Sequence, residues 1–321
     1  MRNAIQVEKN KTFQNTFQKV IVIGLGQLGL PVAKYVKEHG FDTYGYDINQ
    51  KAMQSAETNY GIKQATHFGE FDVLIVCVST HVPNDMFSPQ IDGLMSVVEK
   101  ISREAKSGAL ISIESTIPKG TSKKVFEKVD HRLHVVHAPH RWYALEEEIH
   151  GVNQLRIVGG VSNCCLQHGL NFYDGRTLVS EASFEGAAFS SISAPNTMMR
   201  YITPSVSKTS LIDEKNDPPR NYFMNIADNK DMRPSLLIPM HPVSSSDVAE
   251  VTKIVENAYR YLQIAFAEEL LLYCISNNIS FTELREALNT KWNVDILEPR
   301  DGIAVKIFQK MQRCFSVHLP L

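Results

Sequence analysis

The sequence predicts an α/β fold in which a doubly wound parallel sheet is followed by an all-α central domain built on a long helix. Three observations lead to this prediction. An apolar run enters a glycine-rich turn within residues 19–29, further apolar runs alternate with helical patterns to about residue 173, and a long helical pattern begins at Asp247. Alternating strands and helices are typical of a parallel sheet with helices on both faces.

The glycine-rich turn follows a β-branched run, Val20–Ile23, that is typical of a buried central strand. Its spacing is G-x-G-x-x-G. Gly24 permits the tight turn, Gly26 lets a pyrophosphate approach the backbone, and Gly29 allows the next helix to pack closely. Free N–H groups at that helix start favour phosphate. The turn predicts a Rossmann-type dinucleotide site formed by Gly24, Gly26, Gln27, Leu28 and Gly29.

An acidic residue at the end of the second strand specifies the dinucleotide. The first helix is predicted over Leu28–His39 and ends before Gly40, and the strand Thr43–Tyr46 leads to Asp47. Asp47 is 23 positions after Gly24, near the spacing of about 20 expected for a carboxylate that binds the adenosine ribose. Because a carboxylate repels a 2′-phosphate, we predict NAD as the cofactor. The alternative is a βαβ unit with an ordinary glycine turn.

Composition excludes several classes of partner. The 321 residues suffice for about two domains. The net charge of −2 does not indicate nucleic acid or an anionic membrane as partner. The five scattered cysteines form no disulfide pattern and favour a reducing cytoplasm. The sequence shows neither a signal peptide nor an apolar run long enough to span a membrane, so we expect a cytoplasmic protein.

Ligands of a doubly wound sheet bind outside the carboxyl ends of its strands. The residues that follow the predicted strands are therefore candidates, among them Ser79-Thr80, Glu114-Ser115-Thr116 and Ala138-Pro139-His140. The predicted strands are Val20–Ile23, Thr43–Tyr46, Val73–Val78, Ala109–Ile113, Leu133–His137 and Leu155–Val158. The predicted division of the chain is a polar tail at 1–18, the NAD-binding domain at 19–173, an insert or disordered loop at 174–236, the helical domain at 237–301 and an aberrant tail at 302–321.

The helical domain begins with a pattern that runs from Asp247 to Ile275, in which Asp247 and Glu250 form a predicted capping box. At 1.5 Å per residue such a helix is about 43 Å long. We therefore expect it to link domains or to form a homodimer interface through residues 247–275. A second helix, Phe281–Leu288, is predicted to begin after Ser280. The apolar stripe of the long helix comprises Val251, Ile254, Val255, Ala258, Leu262, Ala265 and Phe266.

Lys253 and Asn257 are the strongest catalytic candidates from spacing. They are four residues apart on the predicted helix and therefore share one face. An ammonium beside a carboxamide can polarise a hydroxyl and stabilise a developing oxyanion, although a solvated Lys beside an Asn is the alternative. The hydroxyl of Thr116, at a strand end, can reach cofactor or water, unless it belongs to a simple turn.

A run of histidines spaced by three invites a metal-site interpretation that the predicted strand disfavours. His134 and His137 fall within the strand and point to opposite faces. His140 follows Pro139 and is the one of the run expected to face the cleft. Cys77 is expected in the core, and Cys164-Cys165 lack a paired ligand set. We therefore predict no metal site.

The motifs together resemble the UDP-glucose/GDP-mannose dehydrogenase family, near its UDP-N-acetylmannosamine dehydrogenase branch. The matching pieces cover most of 19–172 and 237–303. They are V-I-G-L-G-Q-L-G-L-P at 22–31, Asp47, C-V-S-T at 77–80, E-S-T-I-P-K-G-T at 114–121, D-V-A-E-V-T-K-I-V-E-N-A-Y-R at 247–260 and N-T-K-W-N-V at 289–294.

This resemblance implies oxidation of the C6 alcohol of a nucleotide sugar to the uronic acid. Two NAD are used in succession, through a cysteine-bound thiohemiacetal and thioester. Lys253 and Asn257 would lie at the reacting carbon, and Thr116 would also help to position a water. The implied NAD-binding residues are Gly24, Gly26, Gly29, Asp47, Thr80 and Thr116.

The sequence departs from the family pattern at three places. The family's cysteine follows a D-G-I point, but after Asp301-Gly302-Ile303 the next cysteine is Cys314, in unlike surroundings. The family's C-terminal nucleotide-sugar-binding domain has no counterpart. His140 replaces the usual glutamate of a P-E pair. We therefore expect impaired acid formation. The alternatives are a simple NAD-dependent 3-hydroxyacid-type dehydrogenase and a non-catalytic NAD-binding or dimerisation remnant.

Overall fold

The computed structural model describes residues 17–80, 89–142, 150–174 and 235–299. Its centre is an eight-stranded sheet in the order β3-β2-β1-β4-β5-β6-β7-β8. The strands are β1 Lys19–Ile23, β2 Asp42–Tyr46, β3 Lys63–Gln64, β4 Val73–Val76, β5 Leu110–Ile113, β6 His134–His137, β7 Arg156–Gly160 and β8 Met240–Val243. The helices are α1 Gly29–Glu38, α2 Gln50–Tyr60, α3 Asp92–Glu104, α4 Thr121–Lys128, α5 Asn163–Tyr173, α6 Ser246–Ser276 and α7 Phe281–Asn289.

The strand order reverses at β1, which pairs in parallel with β2 on one side and β4 on the other. Parallel pairing continues through β5 to β6, whereas β7 is antiparallel to β6 and β8 is parallel to β7. The predicted doubly wound Rossmann-type sheet is therefore confirmed. Its reversal point places a ligand crevice between the carboxyl ends of β1 and β4.

Apolar side chains of β1 alternate between two cores, one on each face of the sheet. Val20 and Val22 pack with Val32 of α1 and Leu166 of α5. Ile21 and its neighbours on the other face pack with residues of α3 and α4. A strand buried on both faces requires a continuous apolar run, which explains the β-branched sequence that precedes the glycine turn.

The sequence analysis did not predict two of the strands. β3 has only two residues, and β8 is a Met-His-Pro-Val edge strand with no apolar alternation. Residues 240–243 belong to the sheet, although the sequence analysis assigned 237–301 to the helical part. Most of the predicted insert at 174–236 and the tails at 1–16 and 302–321 lie outside the described residues.

The long helix α6 has 31 residues and matches the predicted span closely. Its predicted capping box is wrong, because the Oγ of Ser245 caps the helix by accepting the Val248 N–H. The Glu250 carboxylate instead accepts the N–H groups of Gly120 and Ser122 at the start of α4. α7 begins after Ser280 as predicted, with the Ser280 side chain as its cap. In the described part of the chain, no helix is long and apolar enough to cross a bilayer.

Candidate cofactor and substrate site

The glycine turn lies at the reversal point of the sheet and requires glycine at two positions. Gly24 has φ +93°, and a Cβ there would lie 2.7 Å from the carbonyl oxygen of Cys77. A Cβ on Gly29 would lie 1.7 Å from the carbonyl oxygen of Gly24. A Cβ on Gly26 meets no described atom within 4 Å. The first two glycines are thus needed for packing, while Gly26 and the exposed Gln27 face open space.

The start of α1 is suited to an anion. No side chain caps this helix at Leu28, and its first turn contains no acidic residue. Elsewhere in the described chain, α2, α5, α6 and α7 each begin with an Asn or Ser side chain that accepts a backbone N–H. In the first turn of α1 the Leu30 N–H donates to the Gly26 carbonyl and Pro31 has no N–H. The positive end of the helix dipole remains beside the open backbone at Gly26, which fits the pyrophosphate of a dinucleotide.

Asp47 lies next to the glycine turn at the carboxyl end of β2. Its Oδ2 accepts the Leu25 N–H at 2.7 Å, and its Oδ1 accepts the Asn49 N–H at 2.8 Å. These bonds hold the carboxylate at the rim of the turn. The next residue, Ile48, is 90% exposed. The sequence analysis did not single out Ile48, although an exposed apolar residue next to the predicted ribose-binding acid is a signal for an adenine contact.

Thr80 and Thr116 meet at the carboxyl ends of β4 and β5. The buried hydroxyl of Thr80 donates to the Thr116 carbonyl at 2.8 Å. Ser115 donates to the Val78 carbonyl at 2.6 Å. These bonds tie the two strand ends together, so both predicted threonines lie on the edge of the sheet that carries the glycine turn.

The first turns of α6 dock on this part of the sheet. The buried Glu250 carboxylate accepts the Gly120 and Ser122 N–H groups, at 2.5 and 2.7 Å, where α4 begins. Two turns further on, Glu256 forms an ion pair with Arg141, which follows β6. Carboxylates at a helix start satisfy free N–H groups and the helix dipole. Glu250 thus fixes α6 on α4.

Lys253 lies between these two anchors, and Asn257 lies one turn further along the same face of α6. Both side chains are half-buried. Burial lowers the pKa of His137, at the carboxyl end of β6, to about 3, and the charge of Lys253 contributes to that effect. The ammonium of Lys253 therefore lies close enough to the carboxyl end of β6 for its charge to affect His137.

A buried charge network lies behind these strand ends. Glu114 is bonded to His140 and Tyr173, and the Arg156 guanidinium is 3.1 Å from its Oε2. Burial would raise the pKa of Glu114, but His140 and Arg156 keep it below its usual range. Burial and the nearby Arg156 lower the pKa of His140. His140 is 3% exposed, so the expectation that it faces the cleft is wrong.

The described cysteines offer no activated thiol at this site. Cys77 belongs to the core as predicted, and burial raises the pKa of its thiol well above the usual value. Cys165 and Cys274 are also buried. Cys164 is exposed, but it lies at the start of α5 beside the N-terminal end of β6. Cys314 lies outside the described residues.

Comparison with known families gives two matches in this chain. Residues 53–174 match the NAD binding domain of the UDP-glucose/GDP-mannose dehydrogenase family, and residues 247–317 match its central domain. The first match begins after the glycine turn and Asp47, so their placement depends on the geometry above. The second match extends past residue 301, where the sequence prediction ended the helical domain.

Known dehydrogenases are similar in sequence to this chain. A UDP-N-acetyl-D-mannosamine dehydrogenase from Methanococcus maripaludis strain C7 is 24% identical over 308 residues, covering 89% of this chain and 58% of that relative. This chain therefore spans less than two thirds of the relative's length.

Solved structures show the fold. A UDP-D-ManNAc dehydrogenase from Pyrococcus horikoshii has a TM-score of 0.61 at 20% identity, covering 92% of this chain and 63% of that one. A 3-hydroxyisobutyrate dehydrogenase from Mycobacterium tuberculosis has a TM-score of 0.55 at 13% identity, covering 87% and 72%. With both domain models matched in their expected order on this fold, the chain belongs to the UDP-glucose/GDP-mannose dehydrogenase family.

Proposed function

We propose that this chain binds NAD and belongs to an enzyme that oxidises the C6 alcohol of a UDP-sugar of the N-acetylmannosamine or glucose type. The observation that carries this proposal is the docking of α6. Glu250 and Glu256 anchor the helix on both sides of Lys253, which supports a role for its ammonium at the carboxyl ends of the strands. Family membership supplies the substrate class.

The described residues fit NAD. Gly26 and the uncapped start of α1 would hold the pyrophosphate, and Asp47 would exchange a backbone N–H partner for the ribose hydroxyls. Thr80 and Thr116 would contact the nicotinamide half at the ends of β4 and β5. When bound, NAD accepts a hydride from the alcohol carbon.

Lys253 and Asn257 would act on the alcohol. Loss of the hydroxyl proton leaves an alkoxide, which a half-buried ammonium stabilises more strongly than water does. The Asn257 amide, on the same face of α6, can donate a second hydrogen bond to that oxygen. Because the helix holds both groups before substrate arrives, little reorganisation is needed during reaction.

Formation of the acid requires a thiol that the described cysteines do not provide. An aldehyde is oxidised by a second hydride transfer after a thiolate has trapped it as a hemithioacetal, and water then releases the thioester. Cys77, Cys165 and Cys274 are buried and Cys164 lies at the other end of β6. From these described cysteines, and from the unlike surroundings of Cys314 in the sequence, we infer that this chain by itself makes little or no uronic acid.

The decisive experiment combines NAD calorimetry with a turnover assay on UDP-N-acetylmannosamine and UDP-glucose. We expect NAD binding that Asp47→Asn weakens by about tenfold or more, the loss typical of a hydrogen bond to a charged group. Steady production of two NADH per sugar by the wild-type chain would contradict the inference about the acid.

The role of Lys253 has its own test. Lys253→Met should remove any alcohol oxidation and leave NAD affinity unchanged. Lys123→Met is the matched control, because Lys123 is a half-exposed neighbour that pairs with Asp247. Equal activity of the two variants would refute the role of Lys253. NAD binding without turnover on any UDP-sugar would support a non-catalytic remnant.

A 3-hydroxyacid-type dehydrogenase is the second candidate. A single hydride transfer needs no thiol, and a Lys and an Asn four residues apart on a long helix also suit that reaction. A screen of small 3-hydroxyacids separates the candidates. Turnover of a hydroxyacid, with none on UDP-sugars, would favour the second candidate.

We also propose that the chain forms a homodimer through α6. Of the predicted stripe, Ile254 is buried, whereas Val255, Leu262 and Phe266 are 44%, 59% and 57% exposed. Val248, Tyr259 and Tyr273 extend the exposed row at spacings of three, four and seven residues. A second copy of the same helix would cover this row, as in a two-helix seam.

A further inference from the structure

A second cluster of chemically active side chains lies at the opposite end of the sheet from the proposed site. It comprises His134 at the start of β6 and Cys164 and His168 of α5. Cys164 and His168 are four residues apart on α5, so their side chains share a face. β6 runs from His134 to His137 over about 10 Å, which separates the cluster from Lys253.

The three side chains converge at distances suited to one ion. The Cys164 Sγ is 3.8 Å from the Nδ1 of His134 and 3.8 Å from the Nδ1 of His168. One ligand atom from each residue lies within 4.8 Å of the others. In tetrahedral zinc sites, Zn–S bonds of about 2.3 Å and Zn–N bonds of about 2.0 Å place neighbouring ligand atoms about 3.5 Å apart. The ligand atoms are therefore close enough to share one ion once the imidazole rings reorient.

The two imidazoles stack with ring centroids 3.5 Å apart and planes 15° from parallel. An imidazole nitrogen binds a metal along a lone pair that lies in the ring plane, so two parallel stacked rings cannot both bind one ion. One ring, which we take to be that of His168, must therefore turn out of the stack for both nitrogens to reach the same ion.

Reorienting the His168 ring also displaces a local contact. The Nδ1 of His168 is 2.8 Å from the Cys164 carbonyl oxygen, its neighbour on the preceding helical turn. A tautomer with Nε2–H frees the Nδ1 lone pair, and a ring flip would present Nε2 instead. Either change gives up contacts of the His168 ring, a cost that is small beside the binding free energy of zinc.

We propose that His134, Cys164 and His168 form a binding site for Zn²⁺ or a similar divalent cation with borderline-soft character. The donor set of two imidazoles and one thiolate selects such metals over Mg²⁺ or Ca²⁺. On binding, the Cys164 thiol releases one proton and its sulfur forms the metal bond, while water completes the tetrahedron. Cys164 is exposed and His134 half-exposed, which leaves an entry path to the buried His168. The ion would join α5 to β6.

The test is metal titration of the purified full chain. Calorimetry with ZnCl₂ should show one equivalent bound. Titration with Co²⁺ should produce a thiolate-to-cobalt charge-transfer band. Cys164→Ser should abolish that band and weaken zinc binding by about 100-fold. Loss of a residue that only supports a metal ligand costs up to about 100-fold, so loss of a ligand should cost at least as much. His134→Asn should weaken zinc binding similarly and leave the band reduced.

The matched control is His131→Asn. His131 lies three residues before His134, stacks on Phe126 outside the cluster, and has φ +57°, which Asn tolerates well. This variant should bind zinc as the wild type does. Absence of zinc binding in the wild type, unchanged binding in Cys164→Ser, or an equal loss in His131→Asn would each overturn the proposal. A circular-dichroism melt without metal verifies that each variant folds.

Discussion

The glycines of the turn have different functions. Gly24 and Gly29 face backbone atoms that a Cβ would strike, whereas Gly26 faces open space. The G-x-G-x-x-G spacing alone does not distinguish these functions. Two glycines are required by the packing of the turn, whereas the third faces open space, where we propose that phosphate binds.

This difference predicts opposite outcomes for two small substitutions. Gly29→Ala should destabilise the chain by about 1–3 kcal/mol or more, because the methyl group overlaps the Gly24 carbonyl. Gly26→Ala should leave the melting temperature nearly unchanged and weaken NAD binding, because the methyl group occupies the phosphate approach. Thermal melting and NAD calorimetry on both variants test this. Equal melting temperatures for the two variants would refute it.

The buried Glu114 depends on Arg156 for its charge. Arg156→Met should cost about 3–5 kcal/mol near neutral pH, since the buried carboxylate loses its guanidinium and retains only its bonds to His140 and Tyr173 among the described residues. Lys63→Met is a control that removes an exposed partner of Asp42 and should cost at most about 1 kcal/mol. Urea unfolding measures both.

The stability lost in Arg156→Met should depend on pH in one defined direction. The pKa of folded Glu114 lies below its unfolded value, so the network stabilises the protein above the unfolded pKa and loses that effect as the pH falls through the folded pKa. In Arg156→Met the carboxyl group favours protonation. The gap in stability between wild type and variant should therefore narrow as the pH falls from about 5 to about 2, the pKa of folded Glu114. A gap that widens with acid would contradict the role of the network.

At the scale of elements, one of the anchors that hold α6 is a carboxylate that caps α4. Glu250 is buried, and burial raises its pKa even though the two N–H groups of α4 oppose that change. Because the carboxylate reaches across to another helix, it joins the cofactor domain to the helix that carries Lys253.

Glu250→Gln should therefore destabilise the chain by about 1–2 kcal/mol, the range for loss of a helix cap, and should reduce turnover more than NAD affinity. The amide keeps one acceptor oxygen and loses the charge. Asp247→Asn is the control, since Asp247 forms a surface pair with Lys123 and should cost under about 1 kcal/mol. Equal losses in the two variants would show that Glu250 has no special function.

For the whole molecule, the exposed row on α6 is the main feature that a single copy leaves unexplained. Large apolar side chains seldom form a continuous exposed row on a monomer. The helix is about 46 Å long at 1.5 Å per residue, and exposed apolar residues recur along it from Val248 to Ile275. A second copy would bury this row.

Leu262→Asp should convert a dimer to a monomer, because a charge would be desolvated in the interface. Leu155→Asp is the control: Leu155 is 51% exposed, but lies outside α6. Light scattering coupled to size exclusion gives the mass of each variant. A wild-type chain that is monomeric at all concentrations would refute the dimer.

The sequence by itself determined the sheet, the cofactor turn and the long helix. Each depends on residues close together in the chain: the apolar run before Gly24, the acid that follows the second strand, and the period of α6. Local propensity and periodicity encode such elements directly. Lys253 and Asn257 were predicted for the same reason, because four residues on a helix define a shared face.

Only the tertiary structure decided which polar groups meet. Glu250 contacts Gly120 and not its own helix start, and His140 pairs with Glu114 inside the core. His134 meets His168 rather than the other histidines of its run. Hydrophobic period indicates which face of an element is buried, but partners far apart in the chain depend on how the elements pack. The short strand β8 was hidden for the same reason, because the neighbouring strand β7, and not its own pattern, makes it a strand.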